Sequence, residues 1–110
     1  TKERFLQLKN VITLIENEYK NPLTLEDLSK ASGMSPKYFC RFFHEMINKT
    51  PIEYLNYYRI EISCEKLIAT ELSITEIALN CGFNDVSYFI KTFKKHKGLT
   101  PKQYLKSLKA

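Results

Sequence analysis

Apolar residues recur along the chain mostly at three- and four-residue spacing, interrupted only by Gly33, Gly82, Gly98 and four prolines. That period belongs to one face of a helix, and no alternating apolar and polar run competes for strand. Phe5, Leu8, Ile12, Ile15 and Tyr19 are expected to share the buried face of a first helix. It should end near Asn21-Pro22, because a proline disfavours helical geometry in the residue before it. The pattern predicts an all-α fold.

One half of the chain copies the other. Leu23 to Gly33 overlays Leu72 to Gly82 at an offset of 49, keeping Leu23/Leu72, Leu28/Ile77 and Gly33/Gly82 in step. The offset then becomes 50, at which Tyr38/Tyr88, Phe39/Phe89, Phe43/Phe93, Thr50/Thr100, Pro51/Pro101, Tyr54/Tyr104 and Leu55/Leu105 are identical pairs. One extra residue therefore sits in the turn of the second unit. Identities held in register over this length mark a duplicated helical unit.

Each unit carries its own start and stop signals. Thr24-x-x-Asp27 and Ser73-x-x-Glu76 have the form of capping boxes, in which a hydroxyl accepts an orphan amide of the first turn and the acid reaches back. The short helix that follows should close at Gly33 or Gly82, where a missing Cβ permits the left-handed conformation. Ser35-Pro36 and Asn84-Asp85 then cap the next helix, so each unit contains a helix-turn-helix. Thr50-Pro51-x-Glu53 and Thr100-Pro101-x-Gln103 open one more helix apiece. The first of these, from Pro51 to about Ala69, would be about 28 Å long and is expected to act as a strut between the units.

Periodicity separates the two faces of the second helix-turn-helix element. Phe39, Phe42, Phe43 and Met46 form the expected core stripe, which leaves Lys37, Cys40, Arg41 and His44 outside. The repeat carries the outer set onto Ser87, Ile90, Lys91 and Lys94. In a helix-turn-helix this face meets base edges in the major groove, while caps and neighbouring turns hold phosphates. Arg41 offers a planar fork for guanine O6 and N7, and Lys37 and Lys91 can approach the same acceptors as point donors. Cys40, Ile90 and Val86 are small or apolar groups on a face that should be wet; they are either ordinary surface scatter or contacts to a thymine methyl. Tyr38 and Tyr88 either donate to phosphates or cover the core edge, and Lys94, Lys95 and Lys97 suit phosphates by charge.

Charge sharpens this picture. Residues 91 to 110 hold seven lysines and no acid, leaving ten Lys and Arg against twelve acids in the first ninety residues, for a net +5 overall. A positive block at one end favours a polyanion, either nucleic acid or an acidic membrane surface, and charge alone does not choose. The three cysteines, Cys40, Cys64 and Cys81, show no metal-ligand spacing and read as buried or half-buried free thiols of a reducing cytoplasm. His44 and His96 are isolated. With no phosphate loop, nucleophile-base pair or ligand cluster, neither an enzyme nor a cofactor is expected. No apolar run reaches the length of a membrane span and no signal-peptide pattern opens the chain, which reads as soluble. The start at Thr1 rather than Met points to a piece of a longer protein.

The run Ile74-Thr75-Glu76-Ile77-Ala78 to Cys81-Gly82-Phe83, followed by Tyr88-Phe89, Phe93-Lys94-Lys95 and Gly98-Leu99-Thr100-Pro101-Lys102-Gln103-Tyr104, resembles the AraC/XylS signature. Leu28, Gly33, Ser35, Tyr38, Arg41, Phe43, Tyr54-Leu55 and Arg59 extend the resemblance over nearly the whole chain. It departs at Leu105, where an Arg commonly follows the Tyr. The resemblance implies seven helices in a single DNA-binding domain: helix-turn-helix subdomains at 1–49 and 71–110 joined by a linker helix at 50–70. It implies base contacts at Pro36, Lys37, Cys40, Arg41, Val86, Ser87, Ile90 and Lys91. Phosphate contacts are then expected at Ser35, Tyr38, Asn84, Tyr88, Lys94, Lys95 and Lys97. The implied function is that of a cytoplasmic bacterial transcription regulator, often an activator, with no membrane partner. The implied partners are double-stranded promoter DNA in adjacent major grooves, RNA polymerase, and a sensor or receiver domain outside this chain.

Overall fold

Hydroxyls followed three residues on by an acid or an amide fix where four of the helices begin. In this computed structural model, which describes residues 1–109, Thr24, Thr50, Ser73 and Thr100 each accept from the amide of Asp27, Glu53, Glu76 and Gln103 respectively. Each of those four side chains returns a bond to the amide of its capping residue, at 2.9–3.2 Å. Reciprocal caps of this kind satisfy two amides that the first turn would otherwise leave open. Among the described residues the chain forms seven helices: α1 (Lys2–Glu18), α2 (Leu25–Ser32), α3 (Pro36–Ile47), α4 (Pro51–Ala69), α5 (Ile74–Asn80), α6 (Val86–Lys97) and α7 (Pro101–Leu108).

The chain divides into two compact units, one from Thr1 to Leu55 and the other from Asn56 onward. The boundary falls inside α4, so this helix contributes to both units. Ile60, Cys64 and Leu67 of α4 are buried in the core of the second unit, together with Ile77, Ala78, Cys81, Phe83, Phe89 and Phe93. Their spacing is that of one helix face, so most of α4 serves the second unit as α1 serves the first. In the first unit Val11 and Ile15 of α1, Leu28 of α2, Phe39, Phe42 and Phe43 of α3, and Leu55 at the start of α4 are buried.

The duplication extends to ring geometry. Phe39 and Phe43 lie 5.7 Å apart and Phe89 and Phe93 5.9 Å apart, both steeply inclined. Phe43 meets Tyr54 edge-on at 5.7 Å, and Phe93 meets Tyr104 edge-on at 5.6 Å, so each Thr-Pro helix docks a tyrosine on the preceding helix. The turns also match: Gly33 and Gly82 take φ of 75° and 95°, left-handed values that a residue with a Cβ resists.

Two residues expected in the core lie outside it. Phe5 is 65% exposed; at 100° per residue it points about 80° from Ile15 and about 120° from Val11, off the buried stripe. Met46, in the last turn of α3, is exposed, and its neighbour Ile47 is half-buried instead. Cys64 and Cys81 are buried and Cys40 half-buried. No helix among the described residues is long and apolar enough to cross a membrane.

Candidate nucleic-acid interface

The capping box on α2 and the left-handed turn at Gly33 set α3 with its phenylalanines inward, which fixes the opposite ridge outward. Pro36, Lys37, Arg41 and His44 are exposed, and Cys40 is half-buried between them. Arg41 makes no hydrogen bond or ion pair among the described residues, so its whole fork faces solvent. Ser35 caps α3 through its backbone alone, and its exposed hydroxyl is not taken up by the helix amides.

On α6 the same face repeats with different chemistry. Asp85, exposed like Asn84, caps the helix by accepting from the amides of Ser87 and Tyr88. Phe89, Thr92 and Phe93 are buried, while Ser87, Lys91, Lys94 and Lys95 are exposed. Val86 and Ile90 are half-buried and pack against the unit's core, so packing accounts for part of their apolar character. Leu105 is half-buried against the same core, which explains an apolar residue there.

The two tyrosines lie at the edge of the core, with their hydroxyls engaged inside the protein. Tyr38 and Tyr88 are about half exposed, and the Tyr88 ring leans on Phe83 at 6.1 Å. Each hydroxyl is also tethered to the first helix of its own unit: Arg4 donates to Tyr38 at 2.8 Å and Asn56 donates to Tyr88 at 3.1 Å. These tethers were not visible in the sequence, because their partners are 34 and 32 residues apart.

Lys97 is the member of the phosphate set that the structure occupies elsewhere. It is half-buried and donates to Glu61 of α4 in an ion pair, and that hydrogen bond raises its pKa above the usual lysine range. Lys94 and Lys95 have no carboxylate at ion-pair distance among the described residues, although their place in the last turn of α6 also complements the helix dipole. Arg59, one of the residues carrying the family resemblance, is buried with its guanidinium 5.8 Å from the Phe83 ring, and burial lowers its pKa. It is part of the second unit's packing rather than its outer ridge.

Comparison with known proteins agrees with this geometry. The family described as "Helix-turn-helix domain" matches residues 28–107. The chain is 39% identical over 100 residues to the HTH-type transcriptional regulator YdeC of Bacillus subtilis (strain 168), covering 91% of this chain and 34% of that protein. It therefore spans about a third of the length of curated relatives it matches. Among solved structures, the C-terminal domain of the two-component response regulator yesN from Fusobacterium nucleatum shares 38% identity at a TM-score of 0.80, covering 86% of this chain and 93% of that one. A transcriptional regulator of the AraC-type DNA-binding-domain proteins from Chromobacterium violaceum shares 27% identity at a TM-score of 0.84, covering 92% and 90%. A family match over most of the chain, on a fold that twice presents an outward ridge behind a capped turn, places this chain in the AraC-type helix-turn-helix family of DNA-binding transcription regulators.

Proposed function

We propose that the chain reads a double-stranded promoter site with both units, each laying its second helix-turn-helix helix in one of two adjacent major grooves. Pro36, Lys37, Cys40 and Arg41 contact bases from α3, and Val86, Ser87, Ile90 and Lys91 do so from α6. Ser35, Tyr38, Asn84, Tyr88, Lys94 and Lys95 hold phosphates; Lys97, engaged by Glu61, is the weakest member of that set. The observation that carries this reading is the pair of matched ridges, exposed at Lys37 and Arg41 on α3 and at Ser87 and Lys91 on α6, each backed by buried phenylalanines.

The two units differ in what they can distinguish. Arg41 supplies a bidentate fork, whereas Lys91 supplies a point charge, so base selection is sharper at the first unit. Two readers in one chain bind a site of tandem rather than mirrored halves, about one helical turn or roughly 34 Å apart. In the cell, the domain works in the cytoplasm as part of a longer regulator that activates transcription through contact with RNA polymerase and answers to a sensor or receiver domain. Catalysis has no place in this reading.

Titration of duplex DNA against salt tests it. Affinity should fall linearly in log salt with a slope of about −0.9 for each phosphate neutralised, and unlabelled duplex should compete. Binding indifferent to added duplex would point instead to an adaptor for proteins and overturn the proposal.

A further inference from the structure

The tether on Tyr38 carries a charge that its counterpart on Tyr88 lacks. Arg4, in the first turn of α1, is exposed; it donates to the Tyr38 hydroxyl at 2.8 Å and its guanidinium carbon lies 5.8 Å from the centre of the Phe42 ring. Tyr38 directly follows Lys37 on the ridge of α3. A hydroxyl that accepts from Arg4 keeps its own proton to donate. No carboxylate lies within ion-pair distance of Arg4 among the described residues, so its charge is not neutralised. The guanidinium is also held on two sides, by the hydroxyl and by the ring, and less rotamer freedom is lost on gripping a ligand.

The repeat shows why the first unit needs this. Lys94 and Lys95 of α6 correspond at an offset of 50 to His44 and Glu45 of α3, so the first unit has no paired lysines behind its recognition helix. Its nearest counterpart to the Asn56 tether is an arginine. A fork of N–H donors beside a tyrosine O–H, at the edge of a helix that faces DNA, fits the two free oxygens of a phosphodiester.

We infer that Arg4 and Tyr38 form a phosphate clamp that anchors the first unit on the DNA backbone, a role that no motif in the sequence assigns to Arg4. The clamp rests on the duplex-binding reading above. It makes one charged contact in the first unit, where the Asn56–Tyr88 pair makes a neutral one in the second.

Duplex affinity of the chain measured between 50 and 200 mM salt tests this, with thermal melts run in parallel. Arg4→Ala should make the log–log salt slope shallower by about 0.9, so that the loss of affinity across this range is about 3.5-fold smaller than in the unaltered chain. Arg4→Lys should restore the slope, since it restores the charge. Tyr38→Phe and Asn56→Ala should weaken binding with the slope unchanged, because they remove neutral groups. An unaltered slope in Arg4→Ala, with any loss confined to melting temperature, would reduce Arg4 to a tie between α1 and α3 and overturn the clamp. If the unaltered chain itself showed no salt-dependent duplex binding, the functional proposal would fail first, and separately.

Discussion

Arg41 is the side chain whose removal should separate reading from gripping. It is exposed on α3 and has no partner among the described residues, so neither packing nor an internal bond is lost when it is changed. Stability should therefore stay within about 0.5 kcal/mol of the parent. Bound to guanine, its fork would contribute about 1–3 kcal/mol of discrimination against the wrong base, or about 5- to 150-fold in relative affinity. Arg41→Ala removes both fork and charge. Arg41→Lys removes only the fork, because an ammonium keeps the positive charge without the planar pair of donors. Competition of a selected site against random duplex, at one fixed salt concentration, measures the ratio directly. Arg41→Lys should retain its affinity for random DNA while its preference for the site collapses by the factor above. If both affinities fell together, or neither changed, Arg41 would be a backbone contact or a bystander and the assignment of α3 as a reader would be refuted.

Further outcomes follow from the same geometry. Lys94→Ala should weaken binding to all sequences alike and reduce the salt slope by about 0.9, measured on the same two duplexes. Phe93→Ala, which empties the centre of the second unit's core and loses the edge contact to Tyr104, should cost about 3–5 kcal/mol by denaturant unfolding. A loss below about 1 kcal/mol would contradict that core assignment. The Glu61–Lys97 pair predicts a pH effect of definite sign. Its hydrogen bond raises the Lys97 pKa above 10.5, so its stabilisation is present below that value and disappears as pH rises through the folded value. The melting advantage of the unaltered chain over Glu61→Gln should be constant from neutral pH to about pH 10 and shrink above it; an advantage that grew with pH would contradict the pairing.

Much of this architecture is written locally. Thr24, Thr50, Ser73 and Thr100 announce their helices because the acid or amide that completes each box stands three residues away. The two Phe pairs and their tyrosines reveal the duplication because the same packing problem is solved twice. The outward ridges follow from the inward stripes by helical period alone. What the sequence hides is set by contacts between distant segments. Nothing near Glu61 marks Lys97 as its partner, 36 residues on, and nothing near Arg4 points to Tyr38. The helix expected from Pro51 to about Ala69 is α4, but its apolar residues do not say which unit they pack against until Ile60, Cys64 and Leu67 join the core of Phe89 and Phe93. Phe5 and Met46 fit a three-four pattern yet lie exposed, because a stripe can run past the edge of the core it serves.

Selection of bound duplexes from a random pool addresses the central claim most directly. Two matched ridges on one chain should enrich sites with two blocks of sequence about 10 base pairs apart in tandem, the sharper block lost with Arg41→Lys and the other altered by Lys91→Ala. A pool that stays random, or a single block insensitive to either change, would contradict the account of two readers on one chain.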